Sequence, residues 1–175
     1  QDPVVRIRVA AELAAVEDPR VDQRGAVVGV PHVDGLTDRH VVEPRAGATE
    51  RRLTTFDGAD NDPDLGSPIS WSPDGRQIAF VQGGEDKWIY YAPHQLAIVD
   101  VATGRTRVPA PIDRWFTQPR WSPDGRSVLA LIEQSRVVNL SRIEVASGEV
   151  TPLTAGPRFD AGFAVSKQGR IVVLW

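Results

Sequence analysis

The sequence predicts an all-β fold: a β-propeller of four-stranded antiparallel blades, incomplete in this chain, with three blades and the start of a fourth. Three observations predict it. Trp71-Ser72-Pro73-Asp74-Gly75 recurs as Trp121-Ser122-Pro123-Asp124-Gly125, fifty residues further on. Each copy is followed by the same succession of apolar runs and small-residue turns. The runs are apolar on both alternating faces, as in Val128-Leu129-Ala130-Leu131-Ile132, which is how a strand reads when both faces of its sheet are covered. Small sheets repeated about every 40–50 residues and buried on both sides are propeller blades.

The repeat extends in both directions. Val21-Asp22-Gln23-Arg24-Gly25 falls in register before the first copy, and Val165-Ser166-Lys167-Gln168-Gly169 after the second. An apolar run follows each glycine: 26–30, 78–81, 128–132 and 171–174. In the middle two repeats a second run comes later, Leu96-Ala97-Ile98-Val99-Asp100-Val101 and Leu140-Ser141-Arg142-Ile143-Glu144-Val145. A turn at Thr103-Gly104 or Ser147-Gly148 then leads to a last short strand, over 105–108 and 149–153. Arg52-Leu53-Thr54 closes the first repeat much as Pro152-Leu153-Thr154 closes the third.

Turn chemistry accounts for the repeated words. Ser-Pro-Asp-Gly suits a type I β-turn: Ser accepts a local hydrogen bond, Pro presets φ, Asp is tolerated third and Gly is favoured fourth. The first and fourth repeats have lost the Pro, so their turns are expected to be less rigid. Trp71 and Trp121 end the inner strands of their blades. Each is expected either as a wedge between neighbouring sheets or as packing within its own blade.

The front of the chain reads differently. Val5, Ile7 and Val9 alternate with Arg6 and Arg8, which suggests a strand. Val9, Leu13 and Val16 share a helical face that Asp18-Pro19 would end. Residues 1–19 therefore predict a short strand and helix, and 20–175 a partial propeller with blades at about 20–58, 65–112, 117–156 and 159–175. Propellers close with about 4–8 blades. An open arc leaves sheet faces bare at about 1.5–3 kcal/mol per large apolar side chain, against a net domain stability of about 5–15 kcal/mol. The expectation is that the native chain continues past Trp175, where the sequence stops inside a strand, or that another chain completes the ring.

Composition narrows the function classes. Hydrophobic residues make up 41% of the 175 and charged residues 25%, and the net charge is −3. That balance provides no basic field for nucleic acid. No run of 18 apolar residues exists, so no membrane-crossing helix is expected. Cys is absent, which rules out a disulfide framework and a cysteine metal site. A start at Gln1-Asp2-Pro3, without Met, suggests a mature end after signal removal, hence a periplasmic or secreted protein, with the cytoplasm as the alternative.

The order of a short helix, Val16-Glu17-Asp18-Pro19-Arg20-Val21, and a run of WSPDG blades resembles the start of a prolyl oligopeptidase family serine peptidase. The nearer branch is the acylaminoacyl-peptidase and dipeptidyl-peptidase type. Arg51-Arg52-Leu53-Thr54 and residues 96–104 are similar to that group's blade endings. The spelling of the blades also resembles a TolB-like propeller repeat. The peptidase resemblance implies a propeller that gates substrate to a C-terminal α/β-hydrolase domain carrying a Ser-Asp-His triad that cleaves short peptides. No cofactor is implied.

No catalytic residue is expected within the chain itself. The Gly-x-Ser-x-Gly elbow of such hydrolases does not occur. His32, His40 and His94 have no triad or metal-site spacing and read as ordinary surface or turn histidines. Three features are candidates for other roles. Glu85-Asp86-Lys87-Trp88-Ile89-Tyr90-Tyr91-Ala92-Pro93-His94 interrupts blade two where blade three has only a short link. Glu85 or Asp86 would meet a substrate amino group and Tyr90 or Tyr91 would line a pocket; the plainer reading is a hairpin whose aromatics cover the blade edge. Asp60-Asn61-Asp62-Pro63-Asp64-Leu65-Gly66 has alternate carboxylates, but its glycine is one place late for a calcium loop. It reads as a solvated connector. Asp113-Arg114-Trp115-Phe116 precedes the inner strand of blade three, where Arg114 or Trp115 would face the channel; otherwise Trp115 and Phe116 pack in the core and Arg114 is solvated. A non-catalytic TolB-like propeller that holds a protein partner is the alternative to the peptidase.

Overall fold

The computed structural model describes residues 26–31, 37–42, 49, 51–56, 58, 60, 68–85, 88 and 91–175. The strand and helix expected over residues 1–19 lie outside the described residues. What is described is antiparallel sheet. Blade one contributes β1 (Ala26–Pro31), β2 (Thr37–Val42) and β3 (Arg51–Arg52). Blade two is β4 (Ser70–Trp71), β5 (Gln77–Gln82), β6 (Gln95–Asp100) and β7 (Thr106–Arg107). Blade three is β8 (Trp115–Trp121), β9 (Ser127–Gln134), β10 (Val137–Glu144) and β11 (Val150–Pro152). Blade four contributes β12 (Gly162–Val165) and β13 (Ile171–Leu174). Strands neighbour one another in chain order within every sheet, so each blade is a meander. This is an incomplete β-propeller, as the repeat predicted.

The Ser-Pro-Asp-Gly turns form as their chemistry requires. Gly75 donates its N–H to the Ser72 carbonyl at 2.9 Å, and Gly125 to that of Ser122 at 3.0 Å. Both glycines have left-handed φ, 71° and 69°, which explains their selection. Asp does more than tolerate its place. Its carboxylate accepts the Ser hydroxyl at 2.6 Å and the N–H of the following Arg at 3.1 Å (Asp74) or 3.0 Å (Asp124). These bonds, the serine's first, hold both carboxyls below their usual pKa. Blade four keeps the Gly169 N–H to Ser166 carbonyl bond at 2.9 Å without Pro, and its loop closes one residue sooner, with Arg170 N–H on Ser166 Oγ at 3.0 Å.

The core lies between the blades, and strand alternation distributes it. Along β5, Ile78 and Phe80 point toward blade one, where they join Leu53, Ala97 and Val99. Ala79 points the other way and joins Leu96, Ile98, Phe116, Trp121, Val128, Ala130, Ile132 and Ile143 between blades two and three. Leu129, Leu131, Val138 and Leu140 fill the next gap with Phe163, Val165, Ile171 and Val173 of blade four. Trp121 and Trp71 both lie in clusters that span two blades, so both are wedges between sheets.

Glycine permits the close stacking. A Cβ at Gly148 (φ 74°) would stand 2.1 Å from the Pro109 carbonyl of the preceding blade, and one at Gly104 (φ 72°) 2.9 Å from that of Leu53. Arginines span the same gaps. The Arg51 guanidinium donates to the Val101 carbonyl of the next blade, and Arg107 to that of Val145 at 2.9 Å.

Candidate functional site

The insertion of blade two leaves β5 at Gln82 and returns into β6 at Gln95, so it sits at the end of the blade opposite the Ser-Pro-Asp-Gly turn. Its base is pinched: a Cβ at Gly84 would overlap that of Ala92 at 2.0 Å. At its tip the backbone turns helically, with Tyr91 and Ala92 N–H bonded to the Trp88 carbonyl at 2.7 and 2.8 Å. Glu85 is exposed, as are Trp88 (52%) and Tyr91 (82%). These two aromatics therefore do not cover the blade edge. Asp86 and Tyr90 lie outside the described residues.

The structure brings this loop together with the third candidate feature. His94, at the end of the loop, is buried, and its ring lies 4.4 Å from that of Trp115 at a tilt of 48°. The His94 carbonyl accepts the Phe116 N–H at 2.8 Å. Gln95 Nε2 donates to the carbonyls of Ile112 (2.8 Å) and Arg114 (3.2 Å). Trp115 is half-buried against His94, Phe116 takes the core position, and the Arg114 guanidinium donates to the neighbouring Asp113 carbonyl. The reading of His94 as an ordinary surface or turn residue is thus corrected: it is buried between loop and inner strand. His32 lies outside the described residues, as does the side chain of His40.

Asp60 is also not part of a solvated connector. It is fully buried, accepts Gln82 Nε2 at 3.1 Å through Oδ1, and its carbonyl accepts Arg39 Nη2 at 2.6 Å. Burial lowers the Arg39 pKa to about 10, against the pull of the Asp60 charge. Residues 61–67 lie outside the described residues. The same device recurs one hundred residues later. Arg39 N–H bonds Thr54 Oγ1 at 2.9 Å, and Leu140 N–H bonds Thr154 Oγ1 at 2.9 Å. Asp160, buried like Asp60, accepts Leu140 N–H at 3.0 Å, Arg158 Nε at 2.6 Å and the Thr154 hydroxyl. The signal was present in the sequence as Leu-Thr followed six places later by Asp, at Leu53-Thr54…Asp60 and Leu153-Thr154…Asp160.

The inner strand of blade three is irregular. Between Thr117, paired with Leu131, and Arg120, paired with Leu129, β8 bulges, and Gln118 takes a left-handed φ of 52°. Its Nε2 reaches the Ala161 carbonyl of blade four at 3.3 Å. Neither Gln118 nor Arg120 was singled out by sequence reasoning.

No family model matches the chain. A curated relative, the uncharacterized peptidase YuxL of Bacillus subtilis, is 37% identical over 62 residues, covering 35% of this chain and 9% of the relative. Among solved structures, TolB from Acinetobacter baumannii aligns with a TM-score of 0.65 at 18% identity over 87% of this chain and 35% of that one. The Pyrococcus horikoshii acylaminoacyl peptidase gives 0.63 at 20% over 86% and 22%. The β-propeller domain of the Trilobed protease from Pyrococcus furiosus gives 0.57 at 21% over 80% and 40%. This chain thus spans less than half the length of each protein compared. The resemblance carried by the WSPDG repeats holds at the level of sequence and fold: the chain is part of a β-propeller similar to TolB and to the propellers of peptidases.

Proposed function

We propose that this chain is part of the substrate-gating propeller of a serine peptidase that hydrolyses short peptides, the chemistry residing in an α/β-hydrolase domain of the same polypeptide. The observation that carries the reading is the 37% identity over 62 residues to an uncharacterized peptidase, on a chain whose blades also follow an acylaminoacyl peptidase. The end of the blades that carries Glu85, Tyr91, His94 and Trp115 supports it. There a rigid scaffold presents exposed aromatic and acidic groups beside the inner strand, the arrangement in which loops carry binding residues. The remaining blades and the hydrolase domain are the proposed partners, with peptide as substrate.

The comparable likeness to TolB favours a second reading, a propeller that binds a protein partner and performs no chemistry. A fluorophosphonate probe applied to the native polypeptide separates the two. Covalent labelling, together with hydrolysis that falls steeply as peptide length grows, is the expected result. An unlabelled polypeptide composed of further blades alone would overturn the peptidase reading.

A further inference from the structure

Arg120 sits on the inner strand of blade three, partly buried. Its β-partner Leu129 packs toward blade four, whereas the next pair, Trp121 and Val128, packs toward blade two. Alternation alone would send the Arg120 side chain toward blade four. Instead its Nη1 reaches the Ile69 carbonyl of blade two at 3.4 Å. A side chain that starts on one face of β8 and ends on the other must cross the strand's free edge. β8 is the end strand of its sheet, and the inner strands of a propeller surround its channel. The guanidinium therefore lies on the channel wall, partly buried there.

It is poorly compensated. A 3.4 Å bond to a carbonyl is weak. Among the described residues no carboxylate lies within ion-pair distance of Arg120. Burial, with no charge to oppose it, lowers its pKa. Sinking a cation partway without a counter-charge costs stability, and such groups concentrate at functional sites. A second donor lies alongside. The Ser70 hydroxyl accepts the Trp121 N–H at 3.0 Å, and no described residue accepts its own proton. The planar fork of a guanidinium matches a carboxylate bidentately.

We propose that Arg120, with the Ser70 hydroxyl beside it, is a carboxylate-binding point on the channel wall that takes a carboxylate of a peptide in the channel. That the carboxylate belongs to a peptide rests on the peptidase reading above; the anion site does not.

The test uses the native polypeptide and reads binding rather than turnover. By calorimetry, trialanine is expected to bind at least about tenfold more tightly than trialanine amide. The preference disappears in R120M, persists in part in R120K and weakens in S70A. An acetylated, amidated peptide with a central Glu distinguishes a side-chain carboxylate from a terminal one: if it binds as well as trialanine, the side chain is the source. Acetate, but not acetamide, is expected to raise the melting temperature of the wild type and not of R120M. Because the charge is uncompensated, R120M is expected to melt no lower than the wild type.

Equal binding of acid and amide without Arg120-dependent protection by acetate, a preference that survives in R120M, or a drop of several degrees in both R120M and R120K would overturn the proposal. The last result would make Arg120 a structural tie. Acetate protection that depends on Arg120 without any peptide preference would sustain the anion site and remove the peptide. Failure of the fluorophosphonate labelling alone would remove the peptidase reading and leave the anion site standing.

Discussion

Blades three and four carry similar apolar runs, yet among the described residues only blade three is covered on both faces. In blade three, Val128, Ala130 and Ile132 face blade two while Leu129 and Leu131 face blade four, and none is more than 6% exposed. In blade four, Phe163, Val165, Ile171 and Val173 pack on blade three, whereas Val172 and Leu174 are 73% and 68% exposed. The strands are equally apolar, and what differs is the neighbour. Propeller blades are stabilised between sheets rather than within them, since burying each such side chain contributes about 1.5–3 kcal/mol only when a second sheet arrives.

The largest test of that comparison removes apolar volume on either side of it. Phe116→Ala, between blades two and three, is expected to cost about 3–5 kcal/mol in urea unfolding of the native polypeptide. Leu174→Ala would cost under about 0.5 kcal/mol if its face stays open. With a further blade seated on that face, as proposed, the cost rises to about 2–5 kcal/mol. A small value in the native polypeptide would contradict a continuing propeller.

Two left-handed glycines sharpen the contrast. A side chain at Gly169 (φ 80°) would meet nothing within 4 Å, whereas one at Gly148 would collide with the Pro109 carbonyl. Gly169→Ala should cost about 1–2 kcal/mol from backbone strain alone. Gly148→Ala should cost about 2–5 kcal/mol, because it also forces two blades apart. Equal melting temperatures for the two variants would deny that the turn is shaped by its neighbour.

Asp160 ties the outer part of blade three to the start of blade four. Asp160→Asn should cost about 1–3 kcal/mol, because buried donors lose their acceptor; Asp160→Glu, too long for the site, should not restore it. The smallest effects belong to the turns, where Asp124→Ala should cost about 0.5–1.5 kcal/mol. The pH dependence has one sign for all three carboxylates. Burial pushes the Asp160 pKa up, but hydrogen bonds from Thr154, Leu140 and Arg158 bring it below the ordinary value, and those of Asp74 and Asp124 are lowered by their serines. A folded-state pKa below the unfolded value of about 3.9 gives stability that is complete above that value. It is lost as pH falls through the folded-state values. Melting temperature should therefore hold near neutrality and drop in acid, less steeply in Asp160→Asn and Asp124→Ala.

Much of the blade plan was legible because it is local. Ser-Pro-Asp-Gly specifies its turn through bonds that span five residues or fewer, and the apolar runs mark their strands within three residues of where β5, β6, β9 and β10 lie. The short link of blade three was legible in length but not in kind. It is a two-residue turn at Ser135 and Arg136, with φ of 53° and 67°, made without the Asn or Gly that usually signals one. The candidate site was legible in part: Glu85, Tyr91, Arg114 and Trp115 were marked by composition and place. His94 closes the insertion in the sequence but was read as an ordinary surface or turn histidine, because a lone histidine has no signature of burial against Trp115. Asp60 was misread because an Asp-rich stretch looks solvated until a buried Arg39 and Gln82 are set against it.

By itself, then, the sequence determined the repeat, the turns and the strands that are apolar on both faces, since these depend on φ preferences, near-neighbour hydrogen bonds and local composition. Only the tertiary structure decided which face meets which blade, that Trp71 and Trp121 are wedges, that Asp60 and Asp160 are buried, and that Arg120 reaches the Ile69 carbonyl of the neighbouring blade. Those outcomes depend on the distance between sheets and on desolvation, both of which arise only when residues fifty or a hundred positions apart come into contact.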